Sequence, residues 1–186
     1  AKVGVSKHNI YFEAYKNRLI NIILKKLADW LWNDYFLNKI KDCQDFIGLN
    51  HYRRDRINYG FNKNENKIVS DFGWELYPKS IYFVLRDLKK YNKPIYVTEH
   101  GVSDGRDKYR PWFIEECLKN VHLAIAEGAD VRGYSHWSLI DNFEWAHGWT
   151  QKFGLYTVDC KTFKRTARPS AKVYAEICKN NKVKVD

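Results

Sequence analysis

At 186 residues, with 45% hydrophobic and 29% charged residues and with 7 Trp, 13 Tyr and 10 Phe, the chain has the apolar content of one well-buried domain and is unlike a disordered segment. The 32 Lys and Arg outnumber the 22 Asp and Glu by ten, but they are interleaved with acids, as in Lys108-Tyr-Arg110 followed by Glu115-Glu116, which argues for solvated helix faces and against a nucleic-acid surface. No apolar run nears the roughly 20 residues that span a bilayer, residues 1–5 lack a signal-peptide core, and Cys43, Cys117, Cys160 and Cys178 show no Cys-x-x-Cys spacing. These features predict a soluble, cytoplasmic protein with no metal, no cofactor, and neither nucleic acid nor membrane as partner.

Residues 2–6 alternate small and β-branched side chains and read as the end of a buried strand. From 12 to 40, Leu19, Ile22, Ile23, Leu27, Leu31 and Tyr35 recur at three-to-four spacing, predicting an amphipathic helix whose buried face Trp30 and Trp32 thicken. A second strand follows at 45–50. Residues 53–77 are polar, with Asn62 to Asn66 suggesting a long surface loop. Pro78 opens a helix to about Tyr91, with Ile81, Val84, Leu85 and Leu88 on one stripe, and Lys93-Pro94 breaks it. A strand at 95–98 runs into Glu99-His100-Gly101, a helix from Pro111 stops at Gly128, a strand spans 130–137, and Pro169 leads a last helix. Alternation of strand and helix predicts a parallel sheet with helical crossovers.

Polar residues gather where these strands end: Asn50, His51 and Tyr52; Glu99 and His100; and His136 to Trp145. In parallel α/β folds the carboxyl ends of strands carry the chemistry. Glu99 follows four strand-forming residues, so its backbone is rigid; a carboxylate attacking a sugar's anomeric carbon needs that rigidity, and a phenol such as Tyr52 can orient it. Position alone also fits a solvated strand-end carboxylate. The segment from His136 to Trp145 sets two indoles beside two carboxylates, a mixture that suits sugar faces and hydroxyls better than lipid or phosphate, although a Trp-rich packing loop would read the same. Lone histidines on such a rim, His51 and His136 among them, are more often hydrogen-bonding spacers than ligands.

Four motifs in order, Phe46-Ile-Gly-Leu-Asn50-His-Tyr52, Tyr96-Val-Thr-Glu99-His-Gly101, His136-Trp-Ser-Leu-Ile-Asp-Asn-Phe-Glu144-Trp145 and Phe153-Gly-Leu155, resemble glycoside hydrolase family 1, the β-glucosidase and β-galactosidase family. The resemblance covers nearly the whole chain and implies the C-terminal half of a single (β/α)8 TIM-barrel catalytic domain, residues 1–186 supplying strands five to eight. It makes Glu99 the nucleophile and Tyr52 the phenol that orients it, with Asn50 beside them, Trp137 beneath the sugar ring, Glu144 on its hydroxyls, Trp145 on the same edge and Phe153 closing the floor. The family's usual Asn after the nucleophile is His100 here. Its acid/base Glu, in a Thr-x-Asn-Glu-Pro motif at the end of strand four, is absent from these residues, as are the Gln, His and Trp of the early strands. The implied activity is therefore retaining hydrolysis of terminal β-linked glucose or galactose-type residues, with the N-terminal half of the barrel, or self-association, completing the fold; the alternative is a sugar-binding half-barrel without turnover.

Overall fold

A computed structural model describes residues 1–61 and 63–183. In chain order the elements are β1 (Gly4–His8), β2 (Tyr11–Ala14), α1 (Leu19–Ala28), a π-helical turn (Asp29–Asp34), α2 (Tyr35–Ile40), β3 (Phe46–His51), β4 (Arg54–Ile57), α3 (Ser80–Leu88), β5 (Ile95–His100), α4 (Arg110–Ala126), β6 (Val131–His136), β7 (Tyr156–Val158), β8 (Arg165–Ala167) and α5 (Pro169–Asn180). The main sheet has the order β1-β3-β5-β6 and every pairing in it is parallel. Each crossover is helical, as parallel neighbours require.

The core lies on one face of this sheet. Ile47 and Leu49 of β3 and Ile95 and Val97 of β5 pack against Leu37, Ile81, Leu85, Phe113, Cys117 and Val121 of the helices, all nearly inaccessible to solvent. The opposite face is open: Phe46, Tyr96 and Tyr134, with Asp45, Thr98 and Arg132 among them, line a largely apolar cleft of about 360 Å³. Gly48 is required there, since a Cβ at that position would press on Ser6 of β1.

The sequence reading is altered in two places. Phe12 belongs to a strand and not to the first helix: β2 pairs with β4 in a two-stranded parallel sheet above the rim, and Phe12, Ile10, Ile57 and Ala28 form a small second core. That pairing also gives structure to the segment expected as a plain loop; Asn62 within it lies outside the described residues. The second correction concerns the helix face expected to be buried. Leu19, Ile23, Leu27, Trp30, Leu31, Trp32 and Tyr35 are exposed, as are Ile20 and Phe36. Periodicity reports that a face is apolar, not what covers it, and here the face stays open to solvent apart from an edge contact between the His8 and Trp32 rings. The strand edges of β1 and β6 are likewise unpaired within the main sheet.

The segment after β6 is tied down by buried ions. Arg168, before α5, donates to both carboxylate oxygens of Asp141 at 2.9 and 3.0 Å and to the Gly154 carbonyl at 2.5 Å, while Gly154 N–H donates to Asp141 at 3.0 Å. A second knot joins the loop after β5 to α4 and α5: Arg110 donates to the Asp107 carboxylate and to the carbonyls of Asp104 and Lys152, and Ser170 Oγ donates to Asp107 at 2.7 Å.

Each strand of the main sheet ends in a histidine: His8, His51, His100 and His136. All four are held in the neutral form chiefly by burial. The pKa of His8 and of His51 falls to about 4, that of His136 to about 3, and that of His100 well below the usual value. In the unfolded chain they titrate near 6.5. Below that pH the unfolded state binds protons that the native state refuses, so stability is intact above about pH 6.5 and is lost as the pH falls toward 4.

Two measurements follow. Urea unfolding between pH 7 and pH 5 should lose about 1.4 kcal/mol per pH unit for each histidine fully engaged; His100→Asn should flatten the slope by up to one proton, and an unchanged slope would refute the account. Arg168→Met strands Asp141 as a buried uncompensated charge and should cost about 3 kcal/mol in the same assay; a loss within error of zero would show that the pair does not hold the segment.

Candidate active site

The rim of the main sheet brings Asn50, Tyr52 and Glu99 together, with Phe153 against Tyr52. The ladder between β3 and β5 shifts register between Leu49 and Asn50, so that Asn50 stands opposite Glu99. A local shift of this kind re-aims side chains at a strand end. Thr98 Oγ1 donates to Asn50 Oδ1 at 2.6 Å, fixing the amide beside the carboxylate. Tyr52, just past the end of β3, donates its phenolic hydrogen to Glu99 Oε2 at 2.6 Å. A charge-assisted O–H···O⁻ bond of that length is among the stronger single hydrogen bonds. Burial, then the bond to Glu99, pushes the Tyr52 phenol far above its ordinary pKa, so it remains a donor.

Gly101 explains the tight turn after the carboxylate. A Cβ there would collide with the Trp137 carbonyl, so only glycine lets the two strand ends approach. Trp137 follows β6, its N–H donating to the His100 carbonyl at 3.0 Å, and its peptide bond to Ser138 is cis. Glu144 is half-buried, its carboxyl pKa raised by burial and then by the charge of Glu99. Trp145, by contrast, is 84% exposed and touches no ring of the site. Phe153 is buried, with its ring centroid 6.0 Å from that of Tyr52.

His100, the departure from the expected Asn, turns away from this rim. It is stacked between His51 and Phe113, at 5.8 and 5.5 Å, and its Nδ1 meets the Tyr134 hydroxyl at 2.8 Å. His51 bonds the Asn9 carbonyl and Ser80 Oγ, at 2.9 and 2.8 Å. His51 is thus the hydrogen-bonding spacer expected of it, whereas His136, expected to be one as well, has both ring nitrogens buried with no hydrogen-bond partner.

The sequence reading missed an aromatic layer from the loop after β4. Trp74 lies 6.1 Å from the Tyr52 ring and stacks on Phe72 at 4.5 Å, and Phe72 in turn lies 5.9 Å from Phe153 and 4.6 Å from His147. The local signal was the pair of aromatics in Phe72-Gly-Trp74, close after the charged run of residues 63–67. His8 was missed as well; its ring meets Tyr52 edge-on at 5.9 Å. Among the described residues no group of three or more His, Cys, Asp or Glu side chains is placed to hold a metal ion, and no helix is long and apolar enough to cross a membrane.

Known proteins resemble this chain in sequence and in fold. The sequence profile of glycosyl hydrolase family 1 matches residues 7–183. The chain is 41% identical over 162 residues to a β-galactosidase of Saccharolobus solfataricus, an alignment covering 77% of this chain and 33% of that one. It is 33% identical over 189 residues to β-glucosidase A of Thermotoga maritima, covering 90% of this chain and 42% of the relative. A solved β-glycosidase from Pyrococcus horikoshii superimposes with a TM-score of 0.91 at 34% identity, over 99% of this chain and 49% of the other. The chain thus spans a third to a half of the length of these relatives, and its four-stranded parallel sheet with helices is about half of their (β/α)8 barrel. From the profile match over nearly all its length and the shared fold, the chain belongs to glycosyl hydrolase family 1.

Proposed function

We propose that this chain, residues 1–186, is the C-terminal, nucleophile-bearing half of a single retaining β-glycosidase domain acting on terminal β-linked glucose or galactose-type residues. The observation that carries the reading is the 2.6 Å bond from Tyr52 to Glu99 at the carboxyl rim of the sheet. In the first step a Glu99 oxygen bonds to the anomeric carbon as the bond from that carbon to the leaving oxygen breaks, giving a covalent glycosyl-enzyme. Tyr52 leaves one carboxylate oxygen free for attack and holds the other against rotation. Asn50 lies beside the nucleophile, Trp137 offers an indole face to the sugar, Glu144 accepts hydroxyl hydrogens, and Phe153 closes the floor beneath Tyr52. Trp145, exposed as it is, completes that edge only when sugar or further chain covers it.

The proton for the leaving oxygen must come from a second carboxyl about 5–5.5 Å from the first, which then activates the water that releases the sugar. Glu144 is assigned to the sugar's hydroxyls, so this group belongs to a segment outside the chain, carrying strands one to four. The open edges of β1 and β6 and the apolar face between residues 19 and 36 support such a partner, with a second copy of the chain as the alternative occupant. A reducing, cytoplasmic setting belongs to the same proposal, in keeping with four cysteines that stand as free thiols.

Incubation with a 2-deoxy-2-fluoro-β-glucoside bearing a good leaving group tests the reading, because departure then needs no acid. Mass spectrometry should find one sugar on the Glu99 peptide and none in Glu99→Gln. Tyr52→Phe should slow labelling about tenfold through loss of a charge-assisted hydrogen bond. Sugar binding without label in the wild-type chain would favour the half-barrel that binds and does not turn over.

A further inference from the structure

Two nitrogens buried beside the Tyr52–Glu99 pair have no hydrogen-bond partner: His8 Nε2 and Arg53 Nε. Buried donors are rarely left so unless a ligand or water satisfies them. His8 closes β1 in register with Asn50, which is itself in register with Glu99, so the three lie in a row across the rim. The imidazole meets the Tyr52 ring at 5.9 Å and the Trp32 ring at 6.2 Å, both edge-on. Arg53 follows Tyr52 in sequence, lies 5.2 Å above the Trp74 ring, and spends one terminal nitrogen on Asp55 at 3.1 Å.

The charged groups that His8 feels are Arg53 and Lys7. Lys7 is already engaged, donating to the His8 and Trp32 carbonyls and to Asn9 Oδ1. Burial first, and these two cations next, keep the imidazole neutral at ordinary pH. A neutral ring offers one N–H donor and one acceptor.

The side on which they lie identifies their ligand. Trp137, Glu144 and Phe153 come from β6 and the segment after it, on one side of Glu99. A sugar seated there with its anomeric carbon above Glu99 directs its leaving group the other way, toward β3 and β1. We infer that His8 and Arg53 form a subsite for a polar leaving group with acceptor oxygens, such as a second sugar ring; the inference rests on Glu99 being the nucleophile. The Trp32 ring beside His8 and the Trp74 ring beneath Arg53 flank the two polar groups, the combination of ring and hydrogen bond that suits a saccharide.

Two reagents with the same sugar and different leaving groups separate this subsite from the nucleophile itself. With 2-deoxy-2-fluoro-β-glucosyl fluoride the C1–F bond breaks and fluoride departs, too small to reach His8. With the 2,4-dinitrophenyl glycoside the C1–O bond breaks and dinitrophenolate departs, its nitro oxygens available as acceptors; in both cases the new bond is from Glu99 to C1 and no proton is needed. Labelling rates are measured on the full chain, on His8→Phe, which keeps a ring against Tyr52 and Trp32, and on Arg53→Leu. Loss of one hydrogen bond should lower the ratio of dinitrophenyl to fluoride labelling about tenfold in each variant, with the fluoride rate within about twofold of wild type. Unchanged ratios with fluoride labelling intact would overturn the subsite and leave the nucleophile standing. Equal falls with both reagents would also overturn it, since they would mean that the residues act through Tyr52 or the fold. No label on the wild-type chain from either reagent would overturn the reading of Glu99, and this inference with it.

Discussion

Parallel pairing is the constraint from which the site follows. When β1, β3, β5 and β6 run in one direction, their last residues share a rim whatever the loops do, and side chains distant in sequence become neighbours. Asn50 and Glu99 stand opposite one another for this reason, and Tyr52 needs only two further residues to bring its hydroxyl onto the carboxylate. The helices on the far face make the rim rigid: Val97, two residues before Glu99, is packed at 1% exposure against the core. The carboxylate therefore sits on backbone that has little freedom to move.

A second level of support lies outside the strands. The segment after β6 has only a single 3-10 turn at Trp145–His147 among the residues that matter most for a sugar, and its shape is set by Arg168 reaching back to Asp141 and Gly154. The aromatic layer of Phe72, Trp74 and Phe153 fills the space around Tyr52 without bonding to Glu99. Positioning of the carboxylate is thus divided between one hydrogen bond and a packed set of rings.

Much of this was legible in the sequence because periodicity and strand-end polarity are local signals. The four strands of the main sheet, the helices from Ser80, Arg110 and Pro169, and the meeting of Asn50, Tyr52 and Glu99 were all recoverable within a residue or two at most boundaries. The strand at Phe12 was not, since a four-residue strand abutting a helix borrows the helix's apolar pattern, and its partner β4 lies in a stretch rich in charge. Arg53 and His8 were invisible for another reason: each keeps one buried nitrogen without a hydrogen-bond partner, which only three dimensions reveal. Trp30 and Trp32 illustrate the limit of amphipathic reasoning, which finds an apolar face and is silent about its cover.

The unpaired edge of β1, where Val5 is exposed, sets a kinetic demand. A strand edge accepts whichever complementary edge arrives first. If strands one to four are joined to this chain, they wait at the millimolar effective concentration that a tether confers, and correct closure outruns encounters between copies. If they arrive as a separate polypeptide, closure becomes a second-order race against self-association, and the ten surplus positive charges are the chain's main means of keeping its own copies apart. That repulsion is screened over about 8 Å in physiological salt, so it slows long-range approach and does nothing once two edges touch.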